Sequence, residues 1–194
     1  MKSLKGTKTA ENLMKAFAGE SQARNRYTYY ASQAKKEGYV QISNFFIETA
    51  NNEKEHGKVF FKFLSKDFIN EKIVVNADYP IELGDTKSNL SAAADGEYDE
   101  WHNLYPNFAK EASEEGFTGI ASAFNSIISA EKAHEKRFRK LESNIENNIV
   151  FKREANSIWK CSNCGFIFIG SEPPEICPAC AHPKAYFELV KENY

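Results

Sequence analysis

Two short motifs in the sequence place a glutamate three residues before a histidine. One is Glu53–His56 and the other is Glu131–His134. In an α-helix this spacing puts the two side chains on one face, about one turn apart. Carboxylate oxygens with one imidazole for each metal suit iron or manganese. Because the motif occurs twice, we expect a site for two metal ions rather than two solvated helix surfaces.

Single glutamates elsewhere in the chain are expected to complete this site. In a four-helix bundle, two metals are held by a glutamate from each of two helices and a Glu-x-x-His motif from each of the other two. Glu20 and Glu97 supply the two single glutamates. Glu100 lies three residues after Glu97 and would give one metal a choice of ligand. The metals would balance carboxylates that otherwise repel one another in the bundle core.

Three aromatic residues near these acids have more than one interpretation. Tyr27 follows Glu20 by seven residues. Tyr105 follows Glu97 by eight. Either tyrosine would suit the core or the site, since its hydroxyl needs only one partner. We expect His102 on the surface, because the internal repeat offers it no counterpart.

A second metal-binding pattern lies near the C-terminus. Two Cys-x-x-Cys motifs hold all four cysteines of the chain, so none is left for a disulfide framework. Each motif is a tight turn that points two sulfurs at one metal, and two of them form a tetrahedral site of four thiolates. Spacing alone fits both zinc and iron, and a purely structural zinc ribbon stays open. The cysteines are Cys161, Cys164, Cys177 and Cys180.

The segments before the cysteines predict the helices that must position the acids. The stretch over residues 65–89 contains Pro80 and Gly84 and is long for a helical hairpin. It suits the single long crossover of a ferritin-like bundle, in which the other connections are short. Gly38 and Gly116 mark two helix ends. The predicted helices cover residues 9–36, 40–64, 90–115 and 118–146.

The first predicted helix pair resembles the second. In each pair, the glutamate of the Glu-x-x-His motif lies 15 residues after the glycine that ends the preceding helix. The single glutamate lies 18 residues before that glycine in the first pair (Glu20 to Gly38) and 19 in the second (Glu97 to Gly116). An extra residue in a helix is commonly absorbed as a π-helical turn, often at a functional site. We therefore hypothesise such a turn in the third helix.

Composition and charge narrow the class of protein. The chain has 194 residues, of which 42% are hydrophobic and 27% charged, and its net charge is −2. This balance does not predict binding to nucleic acid or to a membrane surface. No apolar window reaches the roughly 18 residues of a membrane span. The N-terminus has no apolar signal-peptide core, so a cytoplasmic location is expected.

The predicted fold is mainly α, with a ferritin-like four-helix bundle followed by a small metal-knuckle domain. We expect the bundle over residues 1–148 and the knuckle domain over residues 156–194, joined by a linker at about 149–155. The second domain is too small for a large core and would depend on its metal for stability.

Bundle and knuckles in this order resemble the rubrerythrin family over nearly the whole chain. The segments WKCSNCGFIF and ICPACAHP are similar to the knuckles of rubredoxins, whose iron carries electrons. The resemblance implies a rubredoxin-like Fe(Cys)4 centre and a di-iron site, hence three iron ions per chain, which zinc can replace in a preparation. One departure is Ala181, where many rubredoxins have glycine, and it leaves the local turn open.

The resemblance also implies a role for each residue of the acidic site. Glu53 and Glu131 match carboxylates that bridge the two irons. His56 matches a histidine that replaces the carboxylate matching Glu100 when the site is reduced. The residues that match the di-iron ligands of the family are Glu20, Glu53, Glu97, Glu100, Glu131 and His134, and those that match its nearby tyrosines are Tyr27 and Tyr105.

The function implied by this resemblance is a peroxidase that reduces hydrogen peroxide to water as a defence against oxidative stress. A separate reductase or rubredoxin would deliver electrons from NAD(P)H, because the chain has no glycine-rich dinucleotide motif. The resemblance further implies a homodimer or a higher oligomer, in which the FeS4 domain of one subunit lies near the di-iron site of the other. Three alternatives stay open: a ferroxidase or iron-storage protein, a zinc-stapled interaction module, and a di-iron oxygenase with an apolar substrate pocket.

Overall fold

Four helical segments form a bundle within residues 2–191, the part of the chain that the structure, a computed structural model, describes. The helices are α1 Lys8–Lys36, α2 Val40–Leu64, α3 Thr86–Asp99, α4 Tyr105–Glu114 and α5 Thr118–Glu146. A π-helical turn, Glu100–Leu104, joins α3 to α4 into one interrupted segment. This turn confirms the hypothesis of an extra residue in the third helix. None of the helices within the described range is long and apolar enough to cross a membrane.

Glycines end α1 and α4 in the same way. Gly38 and Gly116 have φ of 85° and 83°, a left-handed conformation that costs glycine little. Beyond the first glycine, the Tyr39 amide donates to the Ala34 carbonyl at 2.8 Å, which is the bond of a Schellman motif. The amide of Phe117 makes the equivalent bond after the second glycine. Each turn reverses the chain at once, so α1 packs against α2 and α4 packs against α5.

The third helical segment begins earlier than predicted. It starts at Thr86 rather than Leu90, because the Asp85 side chain accepts a hydrogen bond from the Ser88 amide and caps the helix there. The crossover is therefore residues 65–85.

This crossover is largely exposed, but two hydrogen bonds fix it to α1. The Tyr79 hydroxyl donates to the Lys15 carbonyl at 3.0 Å. The Tyr30 hydroxyl donates to the Glu82 carbonyl at 2.8 Å. The crossover therefore runs along α1 instead of extending into solvent.

Two apolar clusters fill the bundle on either side of its middle. One cluster includes Phe60 and Phe124, whose ring centroids are 4.9 Å apart. The other includes Phe46 and Phe138, whose centroids are 5.1 Å apart. All four rings are fully buried. Close packing at both ends holds the helices at a fixed spacing around the layer that lies between the clusters.

The C-terminal part of the chain contains a small antiparallel sheet. Its strands are β1 Ile158–Cys161, β2 Ile167–Ile169 and β3 Phe187–Leu189. Their order is β2-β1-β3. Trp159 and Phe187 are buried beneath the sheet, and the Trp159 indole N–H donates to the Gly170 carbonyl at 3.0 Å. This core is small, so we expect the stability of the sheet region to depend on a metal ion bound by the four cysteines.

The sheet region contacts the turn between α1 and α2. Phe151 stacks on Tyr39 with ring centroids 6.2 Å apart and an interplanar angle of 6°. The Ala185 Cβ lies 3.8 Å from the position that a Cβ on Gly38 would occupy. Domain limits at 1–148 and 156–194 stay a prediction.

Candidate metal centres

The acidic residues predicted to bind metal meet in the layer between the two apolar clusters. On α2, Glu53 lies seven residues from both Phe46 and Phe60, two helical turns in each direction, so all three side chains point into the bundle. Glu131 has the equivalent position on α5. The glutamates of this layer, each at most 1% exposed, are Glu20, Glu53, Glu97 and Glu131.

The buried acids and two histidines form two overlapping groups. Within each group, one ligand atom from every residue lies within 4.8 Å of the others. Glu53 and Glu131 belong to both groups. Two metals placed this close would share these carboxylates, which is what the bridging roles require. One group is completed by Glu20 and His56, and the other by Glu97 and His134.

Several of the buried carboxylate oxygens lack a hydrogen-bond partner. Oε2 of Glu20, Oε1 of Glu53 and both oxygens of Glu131 are buried in this state. An unpaired buried carboxylate is costly unless a cation neutralises it. Carboxylates with one imidazole per group are a donor set that suits iron. The residues therefore fit a pair of irons.

The two histidine rings point into the same acidic layer. His56 Nδ1 lies 2.9 Å from Glu53 Oε2 and 2.9 Å from Glu131 Oε1. His134 Nδ1 lies 2.9 Å from Glu131 Oε2 and 3.2 Å from Glu53 Oε1. Despite these distances, the Glu131 contacts lack the direction of a hydrogen bond. The Glu53 Oε2 contact with His56 is a hydrogen bond. Glu131 turns one oxygen toward each ring without bonding to either, as a carboxylate shared by two cations would.

Burial shifts the acids of the layer toward their protonated forms. Burial raises the pKa of Glu20 well above its usual range, and repulsion from Glu100 and Glu131 adds to the effect. Burial also raises the pKa of Glu97 to about 7, although its contact with His134 acts in the opposite direction. The pKa of Glu100 is raised as well, because its carboxyl group is buried and lies close to Glu97 and Glu131, although part of the residue is exposed. Without cations, these carboxyl groups would retain protons in the folded chain.

The pKa values of the two histidines also depend on burial and on the neighbouring carboxylates. Burial alone would lower the pKa of His56, but its close contacts with Glu131 and Glu53 outweigh burial and raise that pKa to about 10. The same balance raises the pKa of His134 to about 12. Positive charge is therefore strongly favoured between the carboxylates, whether protons or metal ions supply it.

Both tyrosines of the sequence analysis are core residues and site residues at once. Tyr27 and Tyr105 are each 1% exposed. The Tyr27 hydroxyl donates to Oε1 of Glu97, and the Tyr105 hydroxyl donates to Oε1 of Glu20. Each bond crosses from one helix pair to the other and fixes the orientation of a carboxylate.

Glu100 stands beside the two groups rather than inside them. It begins the π-helical turn and is partly exposed. Its Oε1 lies 3.9 Å from the position that a Cβ on Gly19 would occupy. A ligand role for Glu100 therefore stays a prediction. His102 is exposed, as expected, and stacks on Tyr98 with centroids 4.8 Å apart.

The cysteine sulfurs converge as the two motifs predicted. Sγ of Cys161 lies 3.8 Å from Sγ of Cys180, and Sγ of Cys164 lies 3.7 Å from Sγ of Cys177. All four sulfurs lie within 4.8 Å of one another. A tetrahedral metal with bonds of about 2.3 Å to sulfur would separate the sulfurs by about 3.8 Å. The site therefore has the dimensions of a single metal ion bound by four thiolates.

Alanine takes the place of glycine in the second knuckle without changing its turn. Ala181 has φ of 57°, and Gly165 in the first knuckle has φ of 79°. The Ala181 amide donates to the Cys177 carbonyl at 2.9 Å, and the Gly165 amide donates to the Cys161 carbonyl at 2.8 Å. The question that the sequence left open is thus answered: both knuckles have the same geometry, and alanine accepts the left-handed conformation.

Comparison with known families agrees with both parts of this architecture. A family model described as rubrerythrin matches residues 11–142. A second, described as the rubredoxin-like domain of rubrerythrin, matches residues 159–188. The chain belongs to the rubrerythrin family. Rubrerythrin-1 of Clostridium acetobutylicum is 63% identical over 195 residues, and the match covers 100% of both chains.

Solved structures also resemble this member of the rubrerythrin family. Nigerythrin in a partially reduced state is 29% identical, with a TM-score of 0.64, and the match covers 97% of this chain and 92% of that one. A bacterioferritin of Desulfovibrio desulfuricans is 23% identical, with a TM-score of 0.65 over 73% of this chain and 82% of that one. The second likeness supports the ferritin-like bundle alone.

Membership of the rubrerythrin family indicates the class of protein to which both sites belong. Rubrerythrins are di-iron proteins with a rubredoxin-like centre, so the family indicates an oxidoreductase. The carboxylate and histidine groups form a di-iron-type ligand cluster. The four cysteines form a rubredoxin-like site, which points to electron transfer.

One polar contact of this rubrerythrin site was not predicted from the sequence. Oδ1 of Asn52 lies 3.2 Å from Nε2 of His134. Because an amide oxygen only accepts, Nε2 donates a hydrogen bond to it, which orients the ring and leaves Nδ1 directed at the carboxylates. Asn52 directly precedes Glu53, but its partner is on α5, so no spacing along α2 could have predicted the contact.

Proposed function

We propose that this chain is a peroxidase that reduces hydrogen peroxide to water at a di-iron site. The observation that carries the proposal is the pair of ligand groups that share Glu53 and Glu131, in the same chain as a site of four cysteines. Iron storage would not require the cysteine site. A zinc-stapled interaction module would not require unpaired carboxylates in the core. A peroxidase with its own electron relay uses both features.

We assign Glu53 and Glu131 as the carboxylates that bridge the irons. His56 and Glu100 are assigned as alternative ligands of one iron, because a neutral imidazole suits ferrous iron and an added carboxylate suits ferric iron. His56 lies inside its group while Glu100 lies beside it, which supports an exchange between the two. The remaining assigned ligands are Glu20, Glu97 and His134.

Two bound ferrous ions would supply the two electrons that, with two protons, convert hydrogen peroxide into two water molecules. The residues of the chain prepare the site for this reaction. Tyr27 and Tyr105 hold their partner carboxylates in fixed orientations. The apolar clusters on both sides exclude bulk water, which strengthens the electrostatic contacts inside the layer.

The cysteine site is assigned as the FeS4 centre that returns electrons to the irons one at a time. It would draw them from NAD(P)H through a separate reductase or rubredoxin. Cys164 is exposed and Cys180 partly exposed, so the site lies at the surface where a donor protein can approach.

The test is a single-turnover experiment on the iron-loaded chain. The anaerobic, chemically reduced protein is mixed with hydrogen peroxide or with dioxygen, and oxidation of the irons is followed by stopped-flow absorbance. We expect peroxide to react faster than dioxygen. Glu53→Gln should lose the irons and the reaction. Glu48→Gln, an exposed position on the same helix, should keep both.

The competing function makes the opposite prediction in the same experiment. A ferroxidase would react faster with dioxygen and would continue to take up added ferrous iron beyond its own sites. Either result would overturn the assignment as a peroxidase.

A further inference from the structure

Two residues at the candidate di-iron layer are less buried than the others. The side chains of the four shared and terminal glutamates are at most 1% exposed, and that of His134 is 4% exposed. By contrast, the His56 side chain is 15% exposed, and Glu100 is partly exposed. These two residues therefore mark the points at which the layer lies nearest to solvent.

On the Glu100 side, α1 lacks a side chain at the point of approach. A Cβ placed on Gly19 would stand 3.9 Å from Oε1 of Glu100. It would also stand 3.8 Å from Cε1 of Tyr79, a residue of the crossover. The Glu100 carboxylate and the Tyr79 ring thus both lie close to Gly19, where α1 has no side chain. Glu20, the next residue, points into the metal layer.

The Tyr79 ring is held there, although the chain around it is exposed. Its hydroxyl donates to the Lys15 carbonyl at 3.0 Å, one turn before Gly19 on the same face of α1. Pro80 restricts the backbone directly after it. Ile81, two residues further on, is 95% exposed. The ring is therefore fixed against α1 by its own contacts and not by burial of the crossover.

We propose that Tyr79 is a gate residue that narrows the approach to the metal layer on its Glu100 side. In this proposal the methyl-sized space beside Gly19 is the passage, and the Tyr79 ring forms its outer wall. Hydrogen peroxide is little larger than water and passes, whereas a hydroperoxide with a branched alkyl group is excluded. This selectivity rests on the proposed peroxidase function and gives it a substrate class: small, unsubstituted peroxide.

Two substitutions should change the width of the passage in opposite directions. Tyr79→Ala removes the wall, and we expect it to raise the rate with tert-butyl hydroperoxide relative to hydrogen peroxide by about tenfold or more, as for other single-group changes in a fitted pocket. Gly19→Ala adds a methyl group at ordinary contact distances and favours the helix, so the chain should fold while both rates fall. Ile81→Ala is the matched control on the crossover and should change neither rate.

A second readout tests the gate without any peroxide. Each variant is loaded with cobalt, and the rate at which a bulky chelator removes the metal is measured. We expect faster removal from Tyr79→Ala and slower removal from Gly19→Ala than from the unaltered chain. This holds even if the iron-loaded protein fails to reduce peroxide, so failure of the proposed function and failure of the gate are distinguishable. Equal chelator rates in all four proteins, with an unchanged ratio of peroxide rates, would remove Tyr79 from this role.

Discussion

The buried glutamates of the metal layer carry more negative charge than its two histidines can balance. Four carboxylates are at most 1% exposed, and the histidines supply at most two positive charges. In the absence of metal, protons must supply the remainder. The pKa of Glu97, which burial raises to about 7, reflects that requirement. Metal and protons therefore compete for the same positions, and metal binding releases protons.

We predict that the metal-free chain loses stability as the pH rises from about 6.5 to about 9. The pKa values of His56 and His134 are raised to about 10 and about 12 in the folded chain, from about 6.5 when unfolded. The folded chain thus binds more protons than the unfolded chain throughout this window, and removing them favours unfolding. The measurement is the midpoint of thermal unfolding, followed by the helical circular-dichroism signal at both ends of the window.

The zinc-loaded chain is the control for this prediction. Its metal ions replace the protons, so its midpoint should change much less over the same window. An equal fall in the loaded and metal-free proteins would mean that the acidic layer is not the cause.

At the scale of the helices, the π-helical turn restores a register that one added residue would otherwise break. Tyr105 lies eight residues after Glu97, whereas Tyr27 lies seven after Glu20. In the turn, the Tyr105 amide donates to the carbonyl of Glu100, five residues earlier. The wider turn absorbs the extra residue, so both tyrosines face carboxylates. It also places Glu100 beside the layer.

We predict that deleting Asn103 converts the π-helical turn into α-helix. Asn103 is exposed, and the deletion leaves Tyr105 seven residues after Glu97, as in α1. The chain should still bind two cobalt ions in the bundle, because six of the assigned ligands keep their register. Glu100 should be displaced, so peroxide should oxidise the reduced irons more slowly, as measured by stopped flow.

Asn103→Ala keeps the number of residues and serves as the control. It should retain the turn and the rate of the unaltered chain. A deletion variant that reacts as fast as this control would show that Glu100 does not depend on the turn.

Local signals allowed most helix ends to be predicted, whereas contacts between helices escaped prediction. Gly38 marks its helix end because only the neighbouring residues decide a left-handed turn. The cap at Asp85 was missed because it stands in a stretch with several other turn-forming residues. Helical spacing left Tyr27 undecided, since it predicts a face but not the partner on another helix. Tyr79 was missed because a crossover has no period.

The acidic layer itself was the most predictable part of the site. The two Glu-x-x-His motifs and two single glutamates occupy one face of each helix, so their meeting follows from packing those faces together. Glu100 differs, because its position depends on how the π-helical turn distributes one extra residue. Asn52 differs as well, since its contact with His134 arises only when α2 and α5 lie side by side.

At the scale of the whole molecule, the two metal centres of one chain lie in different parts of the fold, one in the middle of the bundle and one in the cysteine region. Glu20 lies 18 residues before Gly38 on α1, which corresponds to roughly 27 Å along the helix axis. The cysteine region packs against the second half of α1 and the start of α2, where Ser162 lies close to Ala31 and Ser43. An electron that leaves the cysteine site would have to travel along α1 or α2 to reach the irons of the same chain.

We predict that the electron relay operates between chains. Cys164→Ser should lose turnover with NADH and a reductase while its reduced irons still react once with peroxide. Glu53→Gln should lose the irons and keep the FeS4 colour. Coexpressed with different tags and purified as a mixed oligomer, the two variants should recover a substantial part of the turnover that each lacks alone.

The mixture of the two variants, purified separately and combined without subunit exchange, is the control. It should remain inactive. If the mixed oligomer is equally inactive while both centres are loaded, the relay runs within one chain.

The hydrogen bonds of the two buried tyrosines connect the halves of the bundle reciprocally. Tyr27, in the hairpin of α1 and α2, orients Glu97 in the other half, and Tyr105 in that half orients Glu20 in the first. Each hairpin therefore lacks the contact that orients its single glutamate until the other docks. During folding, helices can form in either half independently, but tight capture of the metal pair must wait for assembly. Tightly bound metal therefore indicates that the two hairpins have docked, and not only that each has become helical.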